Sequence, residues 1–286
     1  MSAQKYNLSS LYISPLESCN LACKICYTCK TKRRLSEEQV IDFITRFREK
    51  QGLEIVTFCG GEVFLLNWFI DSVNKLTASG LVVEIITNGT IDHLDQINEP
   101  NKVNLIVSID GLEQNHDQNR GQGNFNLSFN FLKKAISLGF HTEIFTVVST
   151  NNLDEINEFD SWLKNELGFI PEITYHPRKS LAYLKNHPLS NRVGESKIFG
   201  FLTDQQIKFL SENKKVFPPK SLGCHQLSLM SDGMVYGCCE GIHPLGKIPD
   251  EIEYLISQYK QRVDQFQKCV EPNFMCGLCD NCSESE

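Results

Sequence analysis

The chain has 286 residues, 41% hydrophobic and 22% charged, and its 28 basic and 35 acidic residues give a net charge of −7. This composition argues against disorder and predicts one large core, or one core with a small appendage, while the acidic balance argues against a nucleic-acid partner. No apolar run approaches the roughly 18 residues of a membrane span, and the N-terminus lacks signal-peptide features, so we expect a cytoplasmic protein with no membrane partner. The twelve cysteines therefore indicate metal ligands rather than disulfides.

Short apolar strands alternate with amphipathic helices, which is typical of βαβ units and a parallel sheet. The predicted strands lie at about 11–14, 54–59, 82–87, 103–110, 142–149 and 172–176. Capping pairs predict helices that begin at Ser36, with Gln39, and at Thr203, with Gln206. Two further helices are predicted at about 126–138 and 153–167, and 113–120 is expected to be a loop.

Six βα units in sequence favour an α/β fold, a partial (β/α)6 TIM-like barrel, over a two-sided sheet. Polar residues follow the strands at 60–62, 87–89, 108–111, 149–152 and 176–179. Such folds build their sites at the carboxyl ends of strands, so we expect these residues to share one site.

Cys19, Cys23 and Cys26 lie within eight residues, directly after the first predicted strand. Three thiols cannot all pair with one another, and a loop with several sulfurs is ligand geometry for a metal. A 4Fe-4S cluster takes four ligands, so the C-x3-C-x2-C spacing can leave one iron with an open position. Cys29 continues a C-x2-C spacing and is unassigned. From this loop alone, a zinc knuckle or a ferredoxin-like electron carrier stays an alternative.

This loop resembles the motif of the radical S-adenosylmethionine (radical SAM) superfamily. The resemblance implies that Cys19, Cys23 and Cys26 hold a catalytic 4Fe-4S cluster whose open iron is chelated by SAM. It also implies that reduction of the cluster cleaves SAM to methionine and a 5′-deoxyadenosyl radical, which takes a hydrogen atom from the substrate. One departure is Ile25, because the family usually has an aromatic residue before the third cysteine, whereas here Tyr27 follows it.

Later strand ends resemble the same superfamily: Gly60-Gly61-Glu62 is similar to its GGE motif, Thr87-Asn88-Gly89 to its TNG segment and Ser108-Ile109-Asp110-Gly111 to its S-x-D-G segment. The resemblance implies that SAM is bound by Gly60, Gly61, Glu62, Thr87, Asn88, Ser108, Asp110, Arg120 and Tyr175. The GGE motif would hold the SAM amino group, Arg120 would reach its carboxylate, and Tyr175 and Val147 would flank the adenine, although core packing is the better interpretation of Val147. Taken singly, the Gly-Gly, Asn88 and Asp110 positions are also compatible with ordinary turns.

A polar cluster follows the sixth predicted strand, and the SAM motifs do not explain it. We expect substrate contacts there, with a solvated connector as the alternative. The cluster comprises His176, Arg178, Lys179, Tyr183, Lys185 and His187. No catalytic base is assigned, although Glu113 and Asp117 are candidates.

Seven of the twelve cysteines lie in the last part of the chain, which predicts a division into a barrel domain at 1–215 and a small auxiliary domain at 216–286. A turn at Ser231-Asp232-Gly233 predicts a hairpin there, and a helix is expected at about 251–266. The arrangement of Cys224, Cys238, Cys276 and Cys279 resembles the twitch type of SPASM/twitch domain, which implies one auxiliary 4Fe-4S cluster. Zinc is the alternative, and Cys239, Cys269 and Cys282 are unassigned.

The resemblance predicts a radical SAM enzyme that modifies a peptide or protein side chain, with a flavodoxin or ferredoxin as electron donor. About ten residues precede the first strand, so we expect no N-terminal leader-binding domain. A small-molecule dehydrogenase acting on an alcohol or aminosugar is the nearest alternative. A non-catalytic iron-sulfur carrier or zinc-binding protein is a further one, but it does not explain the motifs at successive strand ends.

Overall fold

A computed structural model of the chain describes residues 6, 8–28, 30–178, 199–216, 226–239, 241 and 243–266. The strands are β1 Ser10–Ser14, β2 Ile55–Phe58, β3 Val82–Thr87, β4 Val103–Ser108, β5 His141–Val148, β6 Glu172–Pro177, β7 Leu227–Met230, β8 Met234–Tyr236 and β9 Gly246–Lys247. The α-helices are α1 Glu37–Lys50, α2 Phe69–Ala78, α3 Glu113–Arg120, α4 Asn124–Ser137, α5 Ile156–Leu167, α6 Asp204–Asn213 and α7 Ile252–Phe266.

Local sequence signals explain where several helices begin. The Ser36 hydroxyl accepts a hydrogen bond from the backbone of Gln39, whose side chain in turn accepts one from Ser36 N, and this capping box opens α1. Thr203 and Gln206 open α6 in the same way. Both predicted capping pairs are confirmed.

The strands form one mixed sheet in the order β6-β5-β4-β3-β2-β1-β7-β8-β9. The first six strands pair in parallel with their neighbours in the chain. Right-handed crossovers between neighbouring parallel strands place the connecting helices on one face of the sheet. The protein therefore has an α/β fold with a mostly parallel sheet, as in a partial barrel.

The two faces of this sheet carry different side chains. In β4, Val103, Leu105 and Val107 are fully buried, and Val107 lies next to α4. The alternate residues Ile106 and Ser108 face the other way, toward the interior of the curved sheet. The carboxyl ends of the strands, where the polar residues occur, thus form the rim of this interior.

The described part of the C-terminal region is attached directly to the barrel. β7 pairs in parallel with β1, so that Leu229 is opposite Ile13. The predicted hairpin at 231–233 is confirmed, because β7 and β8 are antiparallel and Gly233 has a φ of 81°. The predicted helix at the end is α7, and an ion pair of 2.6 Å joins its Glu253 to Lys50 of α1.

Two expectations are corrected. The strand expected at 103–110 ends at Ser108, and the expected loop at 113–120 is the helix α3. The α3 sequence has no apolar residue, so it has none of the hydrophobic periodicity by which a helix is recognised. Four of its eight polar side chains are nevertheless buried, where α3 packs against α4 and the loop that carries the cysteines: Asn115, His116, Asp117 and Asn119.

Candidate metal and cofactor site

The cysteine loop, residues 19–27, follows β1 at the carboxyl edge of the sheet. None of the described cysteines is in a disulfide. Cys19 and Cys26 are partly exposed and Cys23 is buried, and the Cys19 sulfur accepts a hydrogen bond from Leu21 N at 3.4 Å. The loop therefore offers three thiols for ligation.

Side chains that follow β3 hold one side of the cysteine loop. The Asn88 amide donates to Asn20 Oδ1 at 2.9 Å and lies 3.7 Å from the Cys19 sulfur. Asn20 in turn donates to Thr90 Oγ1 at 2.8 Å. Asn88 thus contacts a candidate ligand and fixes the start of the loop.

Asn119, near the end of α3, holds the other side of the loop. Its backbone oxygen accepts from Lys24 N at 2.9 Å, and its side-chain oxygen accepts from Ile25 N at 3.1 Å. Its amide donates to Asp110 Oδ2 at 2.6 Å. One residue therefore connects the loop between Cys23 and Cys26 to the segment after β4.

The glycine pair after β2 lets the chain approach the base of the cysteine loop. A Cβ atom on Gly61 would lie 1.8 Å from Ser18 O, and one on Gly60 would lie 2.5 Å from Leu16 O. The backbone also pairs there, since Glu62 N donates to Ser18 O at 3.0 Å. A side chain at either position would displace residues 16–18, which lead directly into Cys19.

The Glu62 carboxylate is buried and already accepts three hydrogen bonds. Their donors are Phe64 N at 3.2 Å, Thr87 Oγ1 at 2.9 Å and Asn88 N at 2.9 Å. Burial raises the pKa of Glu62, although these donors oppose the shift. Glu62 therefore ties the end of β3 to the glycine segment, and it is the backbone around Gly60 and Gly61 that is left to face a ligand.

Asp110 and Arg120 form a buried bidentate pair, with Nε to Oδ2 at 2.7 Å and Nη2 to Oδ1 at 3.0 Å. Burial opposes ionisation of Asp110, but the Arg120 guanidinium, with His116 and Asn119, lowers its pKa. Asp110 also accepts from Val147 N at 3.1 Å. Arg120 is thus held by Asp110, beside Cys23.

Positive charge surrounds the thiols. Burial raises the pKa of Cys23, against the opposing effect of Arg120. For Cys26, burial also acts to raise the pKa, but the Lys30 ammonium and the bonds with Thr28 lower it overall. Burial acts to lower the pKa of Lys30, which is nevertheless raised because Cys26, Cys19 and Cys23 all lie near its ammonium. The three thiols thus converge on one cation.

The structure brings most of the predicted cofactor-binding residues to one edge of the sheet. The residues Gly60, Gly61, Glu62, Thr87, Asn88, Ser108, Asp110 and Arg120 all follow or end a strand at its carboxyl end or lie on α3 beside it. It does not place Tyr175 with them. Tyr175 is opposite Thr146 on the face covered by helices, and its hydroxyl donates to Asp160 of α5. The interior-facing neighbour is His176, whose ring is 5.5 Å from that of Phe145.

The two candidate bases lie beside a cleft of about 960 Å³ between α3 and the cysteine loop. Both oxygens of Asp117 are committed to the start of α4, because they accept from Phe125 N at 2.8 Å and Gly123 N at 2.6 Å. Glu113 accepts from Asn126 at 3.2 Å. Asp117 is therefore a helix cap.

Several predicted site residues lie outside the described residues: Cys224, Cys276, Cys279, Lys179, Tyr183, Lys185 and His187. The unassigned cysteines Cys29, Cys269 and Cys282 lie outside them too. Of the four predicted auxiliary ligands only Cys238 is described, and it is buried next to the half-buried Cys239. The auxiliary cluster and the division at residue 215 thus stay predictions.

The donors of the cysteine loop fit a 4Fe-4S cluster. Three cysteine thiols come from one loop and lie near the same Lys30 ammonium, and a cluster held by three protein thiolates keeps one iron open for another ligand. Lys30 and Arg120 supply cationic surroundings that favour thiolates.

Sequence reasoning missed Asn20 and Asn119 as parts of this site. Asn20 lies inside the cysteine motif, where its position next to Cys19 was a usable signal. Asn119 had no such signal in the sequence, because its contacts depend on the position of α3.

No helix in the described part of the chain is both long and apolar enough to cross a membrane.

Comparisons with curated proteins give one maturation protein and two nucleotide dehydratases. The chain is 28% identical over 160 residues to the sporulation killing factor maturation protein SkfB of Bacillus subtilis (strain 168), a match that covers 54% of this chain and 39% of that protein. It is 29% identical over 168 residues to an S-adenosylmethionine-dependent nucleotide dehydratase of Flammeovirga pacifica, covering 52% of this chain and 57% of that protein. The matched regions thus span well under two thirds of either relative.

Solved structures share the fold. The structure of native anSMEcpe with bound AdoMet and Cp18Cys peptide has a TM-score of 0.70 at 17% identity and covers 96% of this chain and 94% of that one. The structure of Streptococcus suis SuiB bound to precursor peptide SuiA has a TM-score of 0.67 at 13% identity, with 88% and 64% covered. The family model of the Radical SAM superfamily matches residues 13–163, which is more than half of the chain, and the chain therefore belongs to that superfamily.

Proposed function

We propose that this protein is a radical SAM enzyme that modifies a peptide or protein side chain. The observation that carries the proposal is the cysteine loop, whose three thiols are braced by Asn88 on one side and Asn119 on the other. When bound, the 4Fe-4S cluster and SAM supply one-electron cleavage of SAM and a hydrogen-abstracting 5′-deoxyadenosyl radical. The chain's own residues hold the loop and bind SAM.

In this proposal each group of side chains at the carboxyl edge of the sheet has a specific role. Cys19, Cys23 and Cys26 ligate three irons, and the backbone around Gly60 and Gly61 receives the SAM amino group. Glu62 keeps the end of β3 in register with that backbone through its bonds to Thr87 and Asn88. Arg120, oriented by Asp110, presents a fixed positive charge beside the cluster.

The peptide substrate is proposed from the relatives. SkfB is named for the maturation of the sporulation killing factor, and SuiB and anSMEcpe were solved with bound peptides. An auxiliary cluster held by Cys224, Cys238, Cys276 and Cys279 in a twitch-like domain, cytoplasmic location, and a flavodoxin or ferredoxin donor are further parts of the proposal. A small-molecule substrate is the second candidate, because two relatives are nucleotide dehydratases.

The enzyme class is tested by anaerobic reconstitution of the full chain, with an iron and sulfide count and an assay for 5′-deoxyadenosine under reductant. We expect wild-type protein to cleave SAM and Cys23→Ala to lose cluster and cleavage together, while Cys59→Ala, a cysteine outside the loop, retains both. Zinc in place of iron, or no SAM cleavage, would refute the enzyme proposal.

The substrate class is tested in the same assay. We expect a pool of peptides to stimulate 5′-deoxyadenosine formation over the substrate-free rate, and nucleoside triphosphates to leave that rate unchanged. Stimulation by nucleotides instead would replace the peptide proposal with the small-molecule candidate. Either result leaves the assignment of the cysteine loop intact.

A further inference from the structure

Arg178 follows β6 at the carboxyl edge of the sheet and is 6% exposed. Its backbone N–H continues the strand pairing, donating to Val148 O at 2.7 Å. Side chains alternate along a strand, so Arg178 shares the interior face with Thr174 and His176 rather than the helical face with Tyr175. Its guanidinium therefore belongs to the rim on which the cysteine loop also lies.

No aspartate or glutamate among the described residues pairs with Arg178. Three other cations in this half of the sheet are paired with carboxylates: Arg120 with Asp110, Lys214 with Asp160, and Lys215 with Glu143 and Glu172. Burial lowers the pKa of Arg178, and no carboxylate offsets that effect. A buried cation without a counter-ion costs stability, so its retention calls for a partner that is not part of these residues.

The Arg178 guanidinium lies over the ring of Phe201. The guanidinium carbon lies 4.4 Å from the centre of the Phe201 ring. The segment that carries Phe201 is fixed to the loop after β5, since Thr150 N donates to Gly200 O at 3.2 Å, and a Cβ atom on Gly200 would lie 2.4 Å from Thr150 Oγ1. A ring contact of this kind does not use the N–H groups of a guanidinium, which are the groups that bind a planar or tetrahedral oxyanion.

We propose that Arg178 binds an anionic group of the substrate, a carboxylate or a phosphate, at the rim of the barrel. This proposal adds a substrate contact to the proposed function, and the identification of the anion as part of a substrate rests on that function. A carboxylate corresponds to an acidic peptide side chain or terminus, and a phosphate to a nucleotide. In both cases the ion pair would fix the substrate's position relative to the cysteine loop.

The test compares wild type with Arg178→Met, which keeps an unbranched, flexible side chain but removes the charged guanidinium. Lys164→Met is the matched control, because Lys164 is exposed on α5 and also loses one positive charge. Full-length, anaerobically reconstituted protein with SAM is melted in chloride, phosphate or acetate at equal ionic strength. SAM affinity is measured separately for each variant.

We expect at least one oxyanion to raise the Tm of wild type and of Lys164→Met by about 2 °C, which corresponds to an anion concentration of several Kd. Arg178→Met should show no such rise, and in chloride its Tm should equal or exceed that of wild type. A response to phosphate alone indicates a phosphate ligand, and one to acetate alone indicates a carboxylate.

Three results would overturn the proposal. The first is a lower Tm of Arg178→Met than of wild type in chloride, which would make Arg178 a structural residue. The second is the same response to anions, or no response, in both wild type and Arg178→Met. The third is a tenfold loss of SAM affinity in Arg178→Met, which would mean that Arg178 binds SAM itself. Thermal unfolding does not depend on turnover. If anions raise the Tm of wild type but SAM is not cleaved, the anion site at Arg178 is therefore supported and only the proposed function is refuted.

Discussion

His116, on α3, shows how the environment of one residue sets its protonation. It is fully buried, and its Nδ1 accepts from Asp110 N at 3.3 Å, so the neutral ring carries its proton on Nε2, which has no partner. Burial, helped by Arg120, lowers the pKa of His116 to about 4, although Asp110 and Asp117 act in the opposite direction. The ring is therefore neutral at physiological pH.

This pKa predicts a specific loss of stability in acid. Between pH 6.5 and 4 the unfolded chain binds a proton at His116 that the folded chain does not, so stability falls as the pH falls through that window. We expect the free energy of unfolding of wild type to fall by about 2 kcal/mol between pH 7 and pH 5 because of His116. This decrease should be absent in His116→Gln, which keeps an acceptor for Asp110 N. Denaturant unfolding at the two pH values measures it.

The matched control is His141→Gln, because His141 is exposed at the start of β5. This variant should keep the wild-type difference between pH 7 and pH 5. If His116→Gln loses as much stability in acid as wild type, the protonation of His116 does not contribute.

At the scale of elements, α3 is a helix that depends on its surroundings. Eight polar residues form a helix that is too short to be stable alone, and it has no side-chain cap at its start. Asp117 secures it to α4 and Asn119 secures it to the cysteine loop. The helix and the loop therefore stabilise one another.

Replacing Asn119 by alanine should weaken cluster retention. The change leaves Ile25 N without its acceptor and removes a donor to Asp110, while the backbone bond to Lys24 persists. We expect a loss of about 1–3 kcal/mol in stability and less iron per chain after reconstitution and gel filtration. Gln114→Ala, on the exposed side of the same helix, should match wild type. Wild-type iron content in Asn119→Ala would show that the loop is held without this side chain.

For the whole molecule, the main question is how the C-terminal region joins the barrel. β7 extends the sheet at β1, and the Ser231 hydroxyl donates to the buried Glu17 carboxylate at 2.9 Å, just before the cysteine loop. α7 packs on α1, where the Arg46 guanidinium donates to Asp250 O at 3.2 Å. These contacts predict that the described part of this region unfolds together with the barrel.

Leu229→Ala tests that prediction. Leu229 is fully buried in β7, and truncating such a leucine costs about 2–5 kcal/mol. We expect one unfolding transition and faster hydrogen exchange throughout β1–β5 as well as in β7. Leu127→Ala, at a position 52% exposed, should change stability by less than about 0.5 kcal/mol. Faster exchange confined to β7 and β8 would instead indicate an independent unit.

Much of the fold could be predicted because its signals are local. Ser36 and Gln39 are three residues apart, as a capping box requires, and the Asp232-Gly233 pair suits a tight turn. The face on which Tyr175 lies could not be predicted, because a shift of one residue along β6 exchanges the interior and helical faces. Pairing with β5 settles that choice, since it sets Tyr175 opposite Thr146.

The candidate site also has features that the sequence predicts and features that only the tertiary structure shows. The spacing of Cys19, Cys23 and Cys26 and the motifs at the strand ends were sufficient to indicate the superfamily, because ligand number and order along the chain are properties of the sequence alone. Only the tertiary structure shows that Asn119 braces the loop and that Arg178 has no acidic partner among the described residues. Both facts depend on contacts between residues distant in the chain, whose distances arise when the strands pair and the helices pack.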